Sequence, residues 1–269
     1  MSVVLIAVSR LDIKDHLALA RKYNCGLEIQ AFANPNVLDD NWQALLSSYK
    51  QLFQDFHGPL ACHGAFFDMS GASVDARVVA LTRERYLLNL DIAASLGAEH
   101  VIFHTNFLPM IRTEKYRTAW IESQVSFWQD LGQEAAARDL RIVIENMWDP
   151  DPYILGELLR KLDSPNLGVC LDVSHAYLYR FNKLHAINHW MDVLAPYICH
   201  VHLNNSRGVI DEHLALNAPG GAINYSQLLP HIVKLECDPW VVLEMDDPVA
   251  VERSLIFMQQ ILGPQIFGP

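Results

Sequence analysis

Nine ionisable residues of this chain recur at one kind of place, the end of a short apolar β-branched run or the loop just past it. His63 ends Leu-Ala-Cys-His, His104 ends Val-Ile-Phe-His, Glu145 ends Ile-Val-Ile-Glu, Asp172 ends Val-Cys-Leu-Asp and Glu244 ends Val-Val-Leu-Glu. His202 falls near the end of His-Val-His-Leu, His175 lies three residues past Asp172, and Asp211 and His213 lie on the loop beyond His202. Imidazoles and carboxylates bind divalent metal ions, and they also carry protons in catalysis. One such group at a strand end is more often a satisfied hydrogen-bonding residue. Nine at equivalent places are different: if the runs are strands whose ends converge on one mouth, like charges meet there and repel unless cations are present. The donor types suit Zn²⁺ or Mn²⁺, with Co²⁺ and Fe²⁺ as alternatives and Mg²⁺ less suited to so many nitrogens. The charge argument asks for at least two ions.

Such positioning needs parallel strands. The apolar runs are Val3 to Val8, Leu27 to Phe32, Pro59 to His63, His100 to His104, Arg141 to Glu145, Leu167 to Asp172, Ile198 to Leu203 and Trp240 to Met245. Between them lie segments of helical period, such as Ala80 to Leu96, with Leu81, Tyr86, Leu87 and Leu90 on one side and Gly97 as the cap. Breaks such as Asp149-Pro150-Asp151-Pro152 and Asn217-Ala218-Pro219-Gly220-Gly221 read as loops within βα units rather than as domain linkers. Eight βα units with no second module predict an α/β protein, a single (β/α)₈ TIM barrel domain over residues 1–269. No glycine-rich fingerprint follows the first run, so a dinucleotide-binding fold lacks its main support.

Bulk properties narrow the partners. With 19% charged residues and a formal net charge of -11, the 269-residue chain offers no broad basic field for a nucleic-acid backbone. Arg112, Arg180 and Arg207 are spread singly along the predicted loops. The five cysteines, Cys25, Cys62, Cys170, Cys199 and Cys237, form no CxxC pair and read as small core residues of a reducing compartment. The N-terminal run is too short for a signal peptide, and no apolar run reaches the roughly 20 residues that span a bilayer. The expectation is a cytoplasmic protein without a membrane partner, and a homo-oligomer is compatible with the sequence.

The pieces Ile-Glu-Asn at 144–146, Gly-Val-Cys-Leu-Asp-Val-Ser-His at 168–175, His-Val-His-Leu-Asn-Asn at 200–205 and Asp-Glu-His at 211–213 resemble the xylose-isomerase-like barrel superfamily. That superfamily joins sugar isomerases and epimerases to the endonuclease IV type of apurinic endonuclease. The resemblance covers nearly the whole chain and implies that Glu145, Asp172, His202 and Glu244 surround one metal. In the endonuclease branch Glu145 would also bridge to a second metal held by His63 and His104, and His175, Asp211 and His213 would hold a third. One to three ions per chain are therefore implied. Phe66 stands where the endonuclease branch carries a tyrosine, and the run from His63 to Asp68 looks more like the sugar-isomerase-like members.

Two chemistries follow. In the preferred one, a sugar or sugar-phosphate isomerase or epimerase, Glu145 and Glu244 are the acid/base pair: one takes a proton from the carbon beside the carbonyl and the other returns one. Phe66 and Trp148 would touch the sugar, as would the neighbouring aromatics Phe67, Phe107 and Tyr177, and Arg207 would anchor a phosphate or carboxylate. In the alternative, an endonuclease IV-like phosphodiesterase, several metals activate water against a phosphodiester, and only then is nucleic acid a partner. A non-catalytic sugar-binding barrel would have lost one of the two acid/base carboxylates, and both are present. His16, His57, His185, His189 and His231 read as surface or helix-packing residues. His100 starts its strand at the end away from the metals, His200 lies one layer below His202, and Glu28 reads as a buried structural carboxylate.

Overall fold

Residues alternate between two apolar environments along each strand, and that alternation is what a closed sheet requires. A computed structural model of the chain describes residues 3–11, 13–111, 113–180 and 187–267. The strands are β1 (Val4–Val8), β2 (Gly26–Ile29), β3 (Leu60–His63), β4 (His100–His104), β5 (Arg141–Glu145), β6 (Leu167–Asp172), β7 (Ile198–Leu203) and β8 (Trp240–Leu243). Each pairs in parallel with the next, and β8 returns to β1, so the sheet is a closed barrel. Leu5, Ala7, Ala61, Ile102, Val143 and Val242 belong to one apolar cluster inside the barrel. Their chain neighbours, among them Ile6, Cys62, Val101, Phe103, Ile144 and Val241, belong to the larger cluster shared with the helices.

The helices that cover this outer face are α1 (Ile13–Tyr23), α2 (Pro35–Asp39), α3 (Trp42–Leu52), α4 (Ala76–Leu96), α5 (Glu114–Ala136), α6 (Tyr153–Leu162), α7 (Val173–Leu178), α8 (Ile187–Leu194), α9 (Tyr225–Ile232) and α10 (Pro248–Leu262). Their ends follow local chemistry. Asp75 accepts from the Arg77 amide to start α4, and Gly97 at φ 74° ends it. Between α4, α5 and β4, Tyr86 stacks on Phe103 at 4.0 Å and Trp128 completes the group, each fully buried. Burying side chains of this size contributes about 1.5–3 kcal/mol each, which fixes β4 against the helices. Among the described residues, no helix is long and apolar enough to cross a membrane.

Several expectations shift. β2 ends at Ile29, because Gln30 takes a helical backbone conformation and Ala31–Ala33 form a 3-10 turn, so Phe32 is not in the strand. β8 ends at Leu243, leaving Glu244 and Met245 just beyond it. α4 begins at Ala76 rather than Ala80, because Asp75 supplies the cap, and Leu81 is 44% exposed instead of lying on the buried side. Cys237 is exposed in the turn before β8, whereas the other four cysteines are buried. His16 is a buried packing residue whose Nε2 lies 3.3 Å from the Met245 carbonyl. Arg112 and His185 lie outside the described residues.

Candidate metal centre

The inward positions of the strands carry apolar residues at mid-barrel and ionisable ones at the C-terminal mouth. In β4, Val101 and Phe103 face the helices, which turns Ile102 and His104 inward. The same phase brings His63, Glu145, Asp172 and His202 together, all at least 96% buried. Glu145 Oε2 is the hub: it lies 3.4 Å from His63 Nε2, 3.3 Å from His104 Nε2 and 3.5 Å from His202 Nδ1. His202 Nδ1 also lies 3.3 Å from Glu244 Oε2, and His175 Nδ1 lies 3.3 Å from Glu145 Oε1.

Backbone and amide groups hold this arrangement. Asn146 and Asp172 exchange two hydrogen bonds, Asn146 Nδ2 donating to the Asp172 carbonyl at 3.0 Å and the Asp172 amide donating to Asn146 Oδ1 at 2.9 Å. Asp172 Oδ1 accepts from the His175 amide at 2.6 Å, capping α7, and Oδ2 accepts from Asn204 Nδ2 at 3.3 Å. Past β7 the chain folds back on itself through an antiparallel bridge between Asn205 and Leu214. The Asn205 side chain bonds the backbone of Ser206, Leu216 and Ile223, and a side chain at Gly221 would strike it. This fold-back puts His213 in the left-handed region at φ 51° and Asp211 Oδ2 between His175 Nε2, 3.1 Å away, and His213 Nε2, 2.9 Å away. Left-handed backbone at a non-glycine residue costs energy and persists where surrounding structure holds it.

A cavity of about 330 Å³ opens above the cluster, lined by His63, His104, Glu145, His175, Asp211, His213 and Glu244. Phe66 and Phe67 form one wall, their rings 4.0 Å apart, and Asn106 Nδ2 holds the Phe66 carbonyl at 3.1 Å. Trp148 and Arg207 do not line it. Trp148 is 37% exposed, while the neighbouring Met147 faces the cavity, and Arg207 forks onto Glu212 through its amide and guanidinium. Phe107 is buried against Trp120, Ile121 and Ile154, so it packs a βα loop. Tyr177 borders a separate hollow of about 670 Å³, with Arg180 over its ring at 4.0 Å. Sequence reasoning missed Ser9, Gln30, Asn34 and Asp246, which also line the mouth. Gln30 directly follows β2 and donates to Glu244 Oε1 at 2.7 Å, but in the sequence it falls inside the run Leu27 to Phe32, where the strand-end rule does not look.

Electrostatics show groups competing for too few protons. Burial would raise Glu145, but the imidazoles of His104 and His202 hold it well below the usual carboxylate value. Glu244 falls to about 2, with burial outweighed by His202 and His213. Asp172 goes up to about 7, because burial is relieved only in part by His175 and is aggravated by Glu145 and Glu244. His104 falls to about 3 through burial that Glu145 does not offset. Burial depresses His175 and His202, yet Asp172, Asp211 and Glu145 lift the first, and Cys170 with Glu28, Glu244 and Glu145 the second, well above an ordinary histidine.

The donor set fits a divalent cation. Among the described residues, the buried atoms Glu145 Oε2, His202 Nδ1 and Glu244 Oε2 find no hydrogen-bond partner although the nitrogen lies within 3.5 Å of each of the two oxygens. Leaving such atoms unsatisfied costs roughly 1–3 kcal/mol each, which a bound ion would offset. His63 Nδ1 donates to the Gly64 carbonyl at 2.9 Å, which leaves Nε2 with a lone pair facing the cluster. Three overlapping groups at the mouth, His63–His104–Glu145, Glu145–Asp172–His175 and Asp172–His202–Glu244, each bring their ligand atoms within 4.8 Å of one another, and a fourth, Cys170–His200–His202, joins them through His202. Asp211 and His213 join them through His175 Nε2.

The family model described as Xylose isomerase-like TIM barrel matches residues 17–261. Among solved structures, the TTHB071 protein from Thermus thermophilus, soaked with ZnCl2, is 27% identical over 97% of this chain and 98% of that one, with a TM-score of 0.81. A D-tagatose 3-epimerase-like protein is 21% identical over 97% of each chain, with a TM-score of 0.78, a likeness of fold. The Uncharacterized protein MJ1311 of Methanocaldococcus jannaschii is 26% identical over 193 residues, 69% of this chain. That match spans 64% of the relative's own length.

Proposed function

The chain belongs to the xylose isomerase-like TIM barrel family, and on that footing we propose that it is a metal-dependent isomerase or epimerase of a sugar or sugar phosphate. The observation that carries this reading is the pair Glu145 and Glu244, whose Oε2 atoms lie 3.5 and 3.3 Å from the same nitrogen, His202 Nδ1. Glu145, Asp172, His202 and Glu244 would hold the principal ion. When bound, a divalent cation would polarise the carbonyl and hydroxyl oxygens of the sugar and so acidify the adjacent C–H.

Glu145 and Glu244 are ionised at neutral pH, held down by the neighbouring histidines, so each is ready to accept a proton. One takes the proton from the carbon beside the carbonyl, and the other, once it has taken up a proton from water, returns one to that carbon. The side chain of Glu145 is 2% exposed and that of Glu244 11%, so Glu244 is the group that exchanges its proton with water. Phe66 and Phe67 cover an apolar face of the sugar and keep bulk water from the reacting carbon. The Thermus relative soaked with ZnCl2 supports Zn²⁺ as the first ion to test, with Mn²⁺ second.

The protein loaded with Zn²⁺ or Mn²⁺ and offered ketoses and polyols in deuterated water should place deuterium on carbon. Glu244→Gln should abolish that label. Its persistence in the variant would overturn the assignment of Glu244.

A second reading, hydrolysis of a phosphodiester, draws on the additional ligand group His63–His104–Glu145 and on the His175–Asp211–His213 chain. Against it, the described lining of the mouth contains no lysine or arginine to meet a phosphate backbone. Cleavage of an abasic-site oligonucleotide, lost in Glu145→Gln, together with about three ions per chain, would reverse the preference.

A further inference from the structure

His202 turns Nδ1 toward Glu145 and Glu244, and its other nitrogen points down the barrel, where Nε2 lies 3.1 Å from Glu28 Oε2. The same Glu28 oxygen lies 2.9 Å from His200 Nε2. His200 Nδ1 in turn lies 3.1 Å from His100 Nδ1, and the His100 ring stacks on Trp240 at 4.2 Å. Glu28, His200 and His202 are fully buried and His100 is 8% exposed. Nothing in the acid/base chemistry at the mouth uses Glu28, His200 or His100.

The protons in this chain can be assigned in one way. A carboxylate only accepts, so both imidazoles that meet Glu28 Oε2 must present Nε2–H to it. His200 then has a lone pair on Nδ1 and accepts from His100 Nδ1–H. His202 likewise has Nε2 occupied, which leaves Nδ1 as the atom offered to the cluster. Two donors on one carboxylate oxygen also fix the plane of each ring, and the T-shaped contact of His200 with His202, 5.4 Å between centroids, fixes them against each other.

We propose that Glu28 is a positioning residue for the metal centre, held in place by His200 and His100, and that it sets both the protonated nitrogen and the ring orientation of His202. This rests on the reading of the mouth as a metal site. Carboxylates behind ligating imidazoles strengthen the ligand and hold its direction, and losing them typically weakens metal affinity 10–100-fold. Glu28 differs from the ligands in lying below the mouth, with no access to substrate.

The test joins ¹⁵N-histidine spectroscopy to Zn²⁺ titration against a competing chelator, on wild type, Glu28→Gln and Glu28→Leu. Wild type should show a slowly exchanging Nε2–H for His202 whether or not Zn²⁺ is present. Glu28→Gln keeps an acceptor oxygen but loses the charge, so the Nε2–H signal should move and affinity should fall up to about tenfold. Glu28→Leu should lose the protected signal and about 10–100-fold in affinity. If the leucine variant does not fold, the glutamine variant decides alone. A His202 that carries its proton only on Nδ1, or unchanged Zn²⁺ affinity and an unmoved Nε2–H signal in Glu28→Gln, overturns the proposal. A wild type that binds no Zn²⁺ yet shows the protected Nε2–H sinks the metal reading while leaving the Glu28–His202 relation standing.

Discussion

His63 Nε2 and His104 Nε2 lie 3.3 Å apart and face the same oxygen, Oε2 of Glu145. His63 donates its Nδ1–H to the Gly64 carbonyl, so its Nε2 brings a lone pair, and the carboxylate oxygen brings more. Electron pairs converging in a buried space repel unless a proton or a cation separates them. A chelator should therefore destabilise the fold. Ion binding at about a thousandfold over its Kd stabilises by roughly 4 kcal/mol, and at roughly 2–4 °C per kcal/mol for a chain of this size calorimetry should show Tm lower by roughly 10 °C in EDTA. Restoring Zn²⁺ should restore it. An unchanged Tm would count against a resident ion.

Gly64 follows His63, and its backbone passes directly over Phe103. A side chain there would meet the Phe103 ring at 2.0 Å. Phe103 is fully buried and stacked on Tyr86, so it has little room to retreat. Gly64→Ala should cost about 1–3 kcal/mol by denaturant unfolding, as overpacking in cores does. Because the Gly64 carbonyl also holds His63 Nδ1, affinity for Zn²⁺ should fall along with stability. Loss of stability with unchanged affinity would show that the backbone shift stops short of His63.

The aromatic wall separates two kinds of loop residue. Phe66 lines the cavity, whereas Trp148 and Arg207 do not. Phe66→Ala should raise KM for the accepted sugar severalfold, since it removes apolar contact with bound substrate. Trp148→Ala and Arg207→Ala should leave kcat/KM within about twofold, in keeping with surface substitutions away from the site. A large rise in KM in Arg207→Ala would mean that the guanidinium leaves Glu212 to meet an anionic substrate.

The centre is legible in the sequence to the extent that strand phase decides it. His63, His104, Glu145 and Asp172 close their strands on the inward phase, and an ionisable residue at the end of a near-continuous apolar run gives each away. Loop residues carry no such signal. The Asp-Pro-Asp-Pro break says that the chain turns after β5, but whether Met147 or Trp148 then faces the cavity depends on Asp149, whose Oδ2 captures the Met147 amide at 3.0 Å. Glu28 reads from sequence as a buried structural carboxylate, and its partners on β7 stay hidden because they lie more than 170 positions away in the chain. Asp211 and His213 are legible as ionisable residues on the loop past β7, but their ligand role comes through a resemblance, since the Asn205–Leu214 bridge that aims them depends on a fold-back with no periodic pattern.

The foot of the barrel makes a prediction of its own about acid. Burial, reinforced by His200 and Arg141, depresses His100 to about 2, so this ring stays neutral in the folded protein at any ordinary pH. In the unfolded chain a histidine takes up a proton near pH 6.5. The folded form thus keeps its full advantage above pH 6.5 and loses it progressively below, where only the unfolded state gains a proton, by up to about 1.4 kcal/mol per pH unit. His100→Gln retains a donor toward His200 and cannot be protonated, so its unfolding free energy should fall less steeply between pH 6.5 and 4.5. Urea titrations at several pH values would measure the gap between the two proteins. Parallel curves would mean that His100 is protonated in the fold, and the neutral Nδ1–H bond to His200 would have to be redrawn.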